Sequence, residues 1–231
     1  QSCGGAPTST SSFYGVYHKA VDVAAGSENK IVNNLFYNLD GEGTINALYN
    51  NGSNNVHYHH NTIAIDNAAS TATAATAGLY LVNTAVSGIE FRNNIVTIRR
   101  GGDGTKHALY LGVTSGVASD YNNLYVKAGG TSNFIGYNGT DRATLTNWQT
   151  ASGKDLNSLS MDPLYTNPST GDFTCNFLPL DNKGTALGIT TDIMGVSRSA
   201  TSPDMGAFEF TPATCANPPV AGTAVVTPNS G

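Results

Sequence analysis

Five polar residues on three short β-prone segments form the strongest candidate for a functional site. They are His57, His59, Glu90, Arg92 and Asp120. Because successive side chains point to opposite faces of a strand, all five are predicted to share one outer face while their apolar neighbours point inward. Imidazole, carboxylate and guanidinium groups arranged this way could bind a saccharide or act as acid and base in a polysaccharide lyase. The alternative is an ordinary solvated face with cross-strand charge pairs, each worth about 0.2–1 kcal/mol.

A second group of charged residues lies in the loop Arg99-Arg-Gly-Gly-Asp103 and directly after it, at Lys106 and His107. It is the other candidate for saccharide binding or lyase chemistry. The alternative is that Gly101-Gly102 marks a turn between two structural repeats.

The composition favours turn-rich β structure and excludes two classes of partner. Of the 231 residues, 12% are charged and 26 are Gly, so uncharged side chains carry most of the polarity. The net charge of -5 and the scattered Lys and Arg provide no basic patch for phosphates, so we expect no nucleic-acid partner. No apolar run approaches the ~18–20 residues that cross a bilayer, so we expect no membrane span.

The three cysteines give a weak signal. Cys3, Cys175 and Cys215 lack metal-ligand spacing and allow at most one internal disulfide, with one thiol left over. Secreted chains usually oxidise their cysteines, but which two of these would pair stays open.

The elements that must position the candidate residues belong to a repeat of about 30 residues. Four segments begin with a small residue followed by an apolar alternation: Ala20–Val23, Ala47–Asn50, Gly78–Leu81 and Ala108–Leu111. Each is followed by a second strand-like segment that reaches an Asn, and then by a third short apolar run. Three short strands separated by Gly, Ser and Asn turns are the layout of one coil of a parallel β-helix. Leucine-rich repeats would need an L-x-x-L-x-L frame, which the sequence lacks.

One asparagine recurs in every repeat. These residues are Asn34, Asn61, Asn94 and Asn122. Asn tolerates the left-handed backbone region that a sharp turn needs, and its amide can bond to the equivalent amide one coil away. We therefore predict an asparagine ladder, against the alternative of four unrelated loop residues. In that register the candidate site forms two rows, one with His59, Arg92 and Asp120 and the other with His57 and Glu90.

A tyrosine recurs as well, at one position of the first strand of three repeats. The residues are Tyr49, Tyr80 and Tyr110. Aligned aromatic rings could be a stacking platform for a sugar. The alternative is packing of the rings on one another along the solenoid.

Beyond about residue 127 the repeat decays, and residues 128–211 are predicted to form the end of the solenoid. Thr144–Ala151 has apolar residues at helical spacing, and Thr144 is a suitable N-cap. The sequence therefore predicts a short helix, which could cover strand edges that would otherwise invite aggregation.

Several short motifs follow one another in this second half. They are Trp148-Gln-x-Ala-x-Gly153-Lys-Asp155, Asp162-Pro-Leu-Tyr165, Gly171-Asp-Phe173, Asp192-Ile-Met-Gly195 with Arg198, and Pro203-Asp-Met-Gly-Ala-Phe-Glu209. Their order resembles the DPLF, GDF and PDIGAYE-type C-terminal signature of bacterial secreted right-handed parallel β-helix proteins of the pectate-lyase-like class. The resemblance covers about residues 29–210. It implies a secreted, extracellular or cell-surface location.

The acidic residues of this signature stand beside Pro and Gly. They are Asp162, Asp192, Asp204 and Glu209. Carboxylates at such turns commonly accept main-chain N–H bonds, so we interpret the signature as a structural cap and not as a site.

The last segment, residues 212–231, changes character. Its Pro-Pro-Val-Ala-Gly-Thr run, followed by Pro-Asn-Ser-Gly, resembles the opening of Ig-like repeats in large adhesins exported by type IX secretion. The alternative is a Pro-rich linker.

These patterns predict an all-β fold: a right-handed parallel β-helix, or solenoid, with a short helix and an irregular C-terminal cap. Residues 1–127 are predicted to form coils of about 30 residues each. The predicted function is that of a rigid structural or adhesive module of a large secreted cell-surface protein. Its expected partners are extracellular polysaccharide and other domains of the same protein.

The rival function is that of a polysaccharide lyase or glycoside hydrolase whose site lies partly outside this fragment. Such lyases need acidic Ca²⁺ ligands or a Lys or Arg base, and the hydrolases need closely paired carboxylates. No such cluster stands out in the sequence, so we predict no catalytic residue and no metal, and Ca²⁺ lacks support. No phosphate loop or cysteine pair at metal spacing is present either, so no cofactor is expected.

Overall fold

The fold contains three parallel sheets that extend along the axis of a solenoid, and each coil contributes one strand to each sheet. The computed structural model describes residues 8–212. The first sheet contains β1 (Phe13–Lys19), β4 (Ile45–Asn51), β7 (Thr76–Leu81), β10 (Lys106–Leu111), β13 (Asn133–Tyr137) and the antiparallel β14 (Asp141–Arg142). The second contains β2 (Asn29–Val32), β5 (Val56–His59), β8 (Ile89–Arg92) and β11 (Val117–Asp120). The third contains β3 (Leu35–Phe36), β6 (Thr62–Ile65), β9 (Ile95–Ile98) and β12 (Asn123–Val126).

This arrangement is a β-solenoid of the predicted parallel β-helix type. Leu79 of β7 pairs in parallel with Leu109 of β10, as the repeat predicted. Both side chains are buried in a core that continues through all coils. In the second sheet the apolar residues point inward, and Tyr58 and Phe91 are fully buried. Burial of such side chains, worth roughly 1.5–3 kcal/mol each, is what holds the three sheets together.

The first strand of the first coil lies upstream of its predicted position. The apolar alternation predicted it at Ala20–Val23, whereas β1 spans Phe13–Lys19 and Tyr17 pairs with Tyr49. Ala20 has φ of 50° and directly follows the strand. The prediction failed because the connection from β1 to β2 is long and happens to contain alternating apolar residues.

The four recurring asparagines form a continuous ladder between the second and third sheets. The Asn34 amide nitrogen donates to the Asn61 oxygen at 2.9 Å, and the following two steps measure 3.0 and 3.1 Å. At each step the main-chain N–H of the same residue donates to the same oxygen. The side chains of Asn61, Asn94 and Asn122 are fully buried, so the ladder satisfies polar groups that water cannot reach.

The left-handed turn residue is not the ladder asparagine itself. Positive φ values occur one position earlier, at Asn33, His60, Asn93 and Tyr121. At the ladder position the fold therefore requires the side-chain amide and not a left-handed backbone. The backbone requirement falls on the preceding position, where asparagine is common but not obligatory.

Asp155 and Ser158 terminate the ladder at the last coil. The amide nitrogen of Asn122 donates to the Asp155 carboxylate at 3.0 Å, and its main-chain N–H donates to the Ser158 hydroxyl at 2.8 Å. At the opposite end, no donor within residues 8–212 contacts the side-chain oxygen of Asn34. Among the described residues, the ladder thus has one closed end and one open end.

The predicted helix is present and covers the last coil. Helix α1 spans Leu145–Ser152, with the Thr144 hydroxyl accepting the Asn147 N–H, and it ends at Gly153 with φ of 66°. Trp148 is fully buried beneath it. A Cβ atom at Gly136 would lie 2.3 Å from the Trp148 ring, so the glycine allows the indole to lie directly on β13.

Residues 159–210, which we call the strap, do not cover the end of the solenoid. They run back along the third sheet from the last coil to the first, so the predicted cap divides into an end helix and a lateral strap. The side-chain amide of Asn123, in the last coil, donates to the Met161 carbonyl at 2.8 Å and accepts the Met161 main-chain N–H at 2.9 Å. Near the first coil, the Phe173 ring packs 5.2 Å from that of Tyr37. Between them lies a second apolar core, formed by Ile95, Cys175, Leu180, Met205 and Phe210.

The acidic signature residues hold the strap in shape, as interpreted from the sequence. Asp204 accepts the main-chain N–H groups of Asn182 and Phe210, at 2.6 and 2.7 Å. Arg198 pairs with Glu209 at 3.1 Å and donates to the Asn33 side chain of the first coil at 3.0 Å. These charges are therefore committed to folding.

The remaining predictions about this half of the chain divide between the described residues and those outside them. Cys175 is buried and forms no disulfide among the described residues. Cys3, Cys215 and the segment compared with Ig-like repeats lie outside those residues. Within 8–212, no helix is long and apolar enough to span a bilayer.

Candidate binding surface on the second sheet

The outer face of the second sheet carries the five residues singled out from the sequence. His57 of β5 lies opposite Glu90 of β8, and His59 lies opposite Arg92. Arg92 in turn lies opposite Asp120 of β11. The two rows therefore have the register that the asparagine positions predicted.

His59, Glu90 and Arg92 form a compact charged group. The His59 Nε2 atom lies 3.0 Å from Glu90 Oε2, and the same carboxylate oxygen lies 3.8 Å from Arg92 Nε. Only 8% of the His59 side chain is exposed, against 31% for Glu90. Burial lowers the pKa of His59 to about 4, although the neighbouring Glu90 carboxylate acts in the opposite direction. The imidazole is therefore neutral at pH 7.

His57 completes a cluster of three residues whose side chains can bind a metal ion. Its ring packs on that of His59 with centroids 5.0 Å apart. One ligand atom from each of His57, His59 and Glu90 lies within 4.8 Å of the other two. The register predicted Glu90 in the row of His57, but not that its carboxylate bonds His59 of the other row. The three residues were therefore not predicted as a metal site.

Asp120 does not join this group. Its carboxylate accepts the main-chain N–H of Asn157 at 2.7 Å and that of Tyr121 at 2.9 Å. It also accepts the Asn157 side-chain amide at 2.8 Å. Asp120 thus fixes the segment after α1, and both of its oxygens are occupied by the fold.

The second candidate, the cationic loop, is largely buried. The Arg100 guanidinium donates to the main-chain oxygens of Gly41 and Gly43, at 2.7 and 2.8 Å. The Lys106 ammonium donates to three main-chain oxygens, the shortest contact being 2.6 Å to Gly102. Both cations stabilise turns between coils. The glycines mark a turn, which was the alternative interpretation, and Arg100 and Lys106 are not available to a ligand. Arg99 is partly exposed and pairs with Asp162 of the strap.

The recurring tyrosines form a stack of five parallel rings on the outer face of the first sheet. The stack comprises Tyr17, Tyr49, Tyr80, Tyr110 and Tyr137, with centroids 4.9, 5.3, 4.3 and 4.3 Å apart. Adjacent planes diverge by at most 9°. Because the ring faces cover one another, a sugar cannot lie flat on the interior rings. The arrangement is the ladder packing that was the alternative to a platform.

A groove of 270 Å³ lies beside this stack, and sequence reasoning missed it. Ala77 separates Asn46 and His107 in the register of the sheet, and the small side chain leaves space between them. His107 Nε2 lies 2.8 Å from Asp141 Oδ1. Burial lowers the pKa of His107, and Asp141 opposes that effect. The pair was unpredictable because Asp141 belongs to β14, which folds back antiparallel.

Comparison of the chain with known protein families, with curated proteins and with solved structures finds no match. The resemblance to secreted β-helix proteins accordingly stays a prediction about family.

Proposed function

We propose that this chain is a rigid β-helix module of a secreted or cell-surface protein, with a structural or adhesive role. The observation that supports the proposal best is the strap, which contacts the first and the last coil. In solenoids each coil normally contacts only its neighbours, so terminal coils can open independently. A connection from Met161 at the last coil to Arg198 at the first opposes such opening.

The use of charged side chains points in the same direction. Arg100, Lys106, Asp155, Arg198 and Asp204 are buried and bonded to main-chain or ladder groups. Removing one partner from such a contact leaves a buried charge unsatisfied, at a cost of several kcal/mol. Charges bonded in this way stabilise the fold and are not free to take part in catalysis.

Native-state hydrogen exchange tests the rigid-module proposal. We expect amides of β1, β2 and β3 to be protected to a degree similar to those of the inner coils. Asn33→Gly removes the amide that bonds Arg198 and the Thr191 carbonyl while tolerating the left-handed backbone of that position. It should selectively weaken protection of the first coil.

Asn38→Gly is the matched control, because Asn38 is also left-handed but is exposed and makes no side-chain hydrogen bond to the strap. Equal loss of protection in both variants, or fast exchange of the first coil in the unaltered chain, would contradict the proposal.

For the adhesive role, we assign polysaccharide binding to the groove beside the tyrosine stack. Binding sites are typically concave, with apolar walls and a few polar groups that fix orientation. The groove offers Tyr80 and Tyr110 edges, the Ala77 methyl group, the Asn46 amide and the His107 imidazole. Sugar C–H groups would pack on the tyrosine edges and the alanine methyl group, and sugar hydroxyls would bond the amide and the imidazole.

Titration with neutral and acidic oligosaccharides, followed by NMR, tests this assignment. The His107 ring signals should shift, and Ala77→Leu should abolish the shifts by filling the groove. Ala118→Leu, on the outer face of the second sheet opposite Glu90, introduces the same side chain elsewhere and should leave binding intact. Oligosaccharide binding that survives Ala77→Leu would refute the assignment.

The enzymatic alternative makes a different prediction. A lyase would release unsaturated products from pectin or alginate, and a hydrolase would release reducing ends. We expect neither from the purified chain, and sustained product release would favour the enzyme over the structural module.

A further inference from the structure

We propose that His57, His59 and Glu90 form a binding site for a divalent transition-metal ion, of which Zn²⁺ is the best-suited example. The geometry that supports the site is the pairing of β5 with β8, which brings a carboxylate beside two imidazoles. The three ligand atoms lie within 4.8 Å of one another. This site is separate from the groove on the first sheet and does not depend on polysaccharide binding.

The spacing suits one ion after small rotations of the side chains. Zn²⁺ binds imidazole nitrogen and carboxylate oxygen at about 2.0–2.2 Å, which places ligand atoms roughly 3.3 Å apart in a tetrahedral site. His59 Nε2 and Glu90 Oε2 are already 3.0 Å apart. His57 is half-buried at the rim, so its ring can turn toward them. A water molecule or an exogenous ligand would complete the tetrahedron.

The donor set selects the class of metal. Two imidazoles and one carboxylate suit Zn²⁺, Cu²⁺ or Ni²⁺, whereas Ca²⁺ and Mg²⁺ take oxygen ligands almost exclusively. To bind the ion through Nε2, the neutral His59 imidazole must carry its single N–H proton on Nδ1.

Neighbouring cations reduce the affinity of the site. Arg92 Nε lies 3.8 Å from the Glu90 carboxylate and neutralises part of its charge. Lys30 lies opposite His57 in the sheet register. Because like charges repel at this range, removing the Arg92 charge should tighten metal binding, whereas removing a ligand should weaken it.

Calorimetric titration of the whole chain with Zn²⁺ at pH 7 tests the site, in the absence of any saccharide. We expect one equivalent to bind, with Ca²⁺ and Mg²⁺ giving no heat. His57→Gln, at a half-buried position, should weaken binding roughly tenfold or more. Arg92→Gln should strengthen it several-fold, a result that a purely structural role of Glu90 would not produce.

His107→Gln is the matched control, because His107 is also a buried histidine paired with a carboxylate but has no third candidate ligand beside it within residues 8–212. Its affinity for Zn²⁺ should equal that of the unaltered chain. The cysteines are the same in every variant, so binding at thiols would appear as heat that His57→Gln does not remove. Such insensitivity, equal binding of Ca²⁺, or absence of Zn²⁺ binding would overturn the proposal.

A second readout distinguishes bound metal from surface association. An ion held by β5 and β8 links two coils and stabilises the folded state by mass action, so the melting temperature should rise with Zn²⁺ concentration. The rise should be absent in His57→Gln and present in His107→Gln. Failure of this test leaves the rigid-module proposal untouched, because the exchange experiment is performed with a chelator present.

Discussion

The indole nitrogen of Trp148 lies 2.7 Å from a carboxylate oxygen of Asp155. The helix that covers the last coil is thereby bonded to the residue that ends the asparagine ladder. The helix and the ladder therefore belong to one hydrogen-bonded unit, so a change in either should alter the stability of the other.

Asp155→Asn tests this link. All side-chain groups around the carboxylate can donate, namely those of Ser119, Asn122, Trp148 and Ser158. An amide would direct N–H groups at donors, so we expect a loss of about 2–3 kcal/mol in the free energy of unfolding, measured by urea denaturation. Asp120→Asn, at a partly exposed carboxylate, should cost less than about 1 kcal/mol. Similar losses in both variants would mean that the buried Asp155 contacts stabilise the fold no more than the partly exposed Asp120 contacts do.

Asn94→Ala should cost more than Asn34→Ala. Asn94 bonds a ladder neighbour on each side and the Tyr58 carbonyl, all within the buried core. Asn34 is only partly buried and bonds a single ladder neighbour. We expect roughly 2–4 kcal/mol for the interior position and about 1 kcal/mol for the end position, by chemical denaturation. A reversed order would show that the ladder contributes little to stability.

Asp204→Ala should lower the free energy of unfolding by roughly 1–2 kcal/mol, because two main-chain N–H groups of the strap lose their acceptor. A thermal melt measures the loss. Oligosaccharide binding by the molecules that remain folded should be unchanged. An unaltered melt together with lost binding would mean that the signature residue serves a ligand.

The contribution of His60 to stability should fall as the pH is lowered below about 6.5. Burial, with a smaller effect of Arg198, lowers the pKa of His60 to about 3. The unfolded chain therefore binds this proton first, and each such histidine reduces stability by at most about 1.4 kcal/mol per pH unit until the folded-state pKa is reached. His59, with its pKa lowered to about 4, acts in the same direction.

His60→Asn isolates this contribution. Asn33 and Asn93 occupy the same left-handed position in the adjacent coils, so the backbone is preserved. The variant should lose less stability than the unaltered chain between pH 6 and 4, measured as the difference between the two denaturation series. Asp204, whose burial raises its pKa to about 7, titrates in both and cancels. Parallel series would contradict the assignment.

The solenoid could be predicted from the sequence because every coil has the same local requirements. A turn and an amide acceptor are needed once in every coil, so asparagine recurs at Asn34, Asn61, Asn94 and Asn122. The first coil was displaced in the prediction because Ala20–Val23 lies in a long connection that imitates a strand. Apolar alternation alone does not distinguish the two.

Features that depend on contacts between distant segments were not predictable. The strap packs against the third sheet through single residues such as Met161 and Tyr165, which carry no periodic signal. Asp120 and Lys106 looked like free surface charges, since only the folded chain places main-chain donors or acceptors around them. For the same reason, sequence spacing placed Glu90 beside His57 but could not show that its carboxylate also bonds His59 of the neighbouring row.

The ladder also has an electrical direction. Every amide nitrogen in it donates toward the last coil, so the amide dipoles point the same way and reinforce one another along the solenoid axis. Their positive end meets the carboxyl group of Asp155. Asp155 thus stands to this row of side chains as an acidic residue stands to the first turn of a helix, at the terminus where a negative charge is favoured.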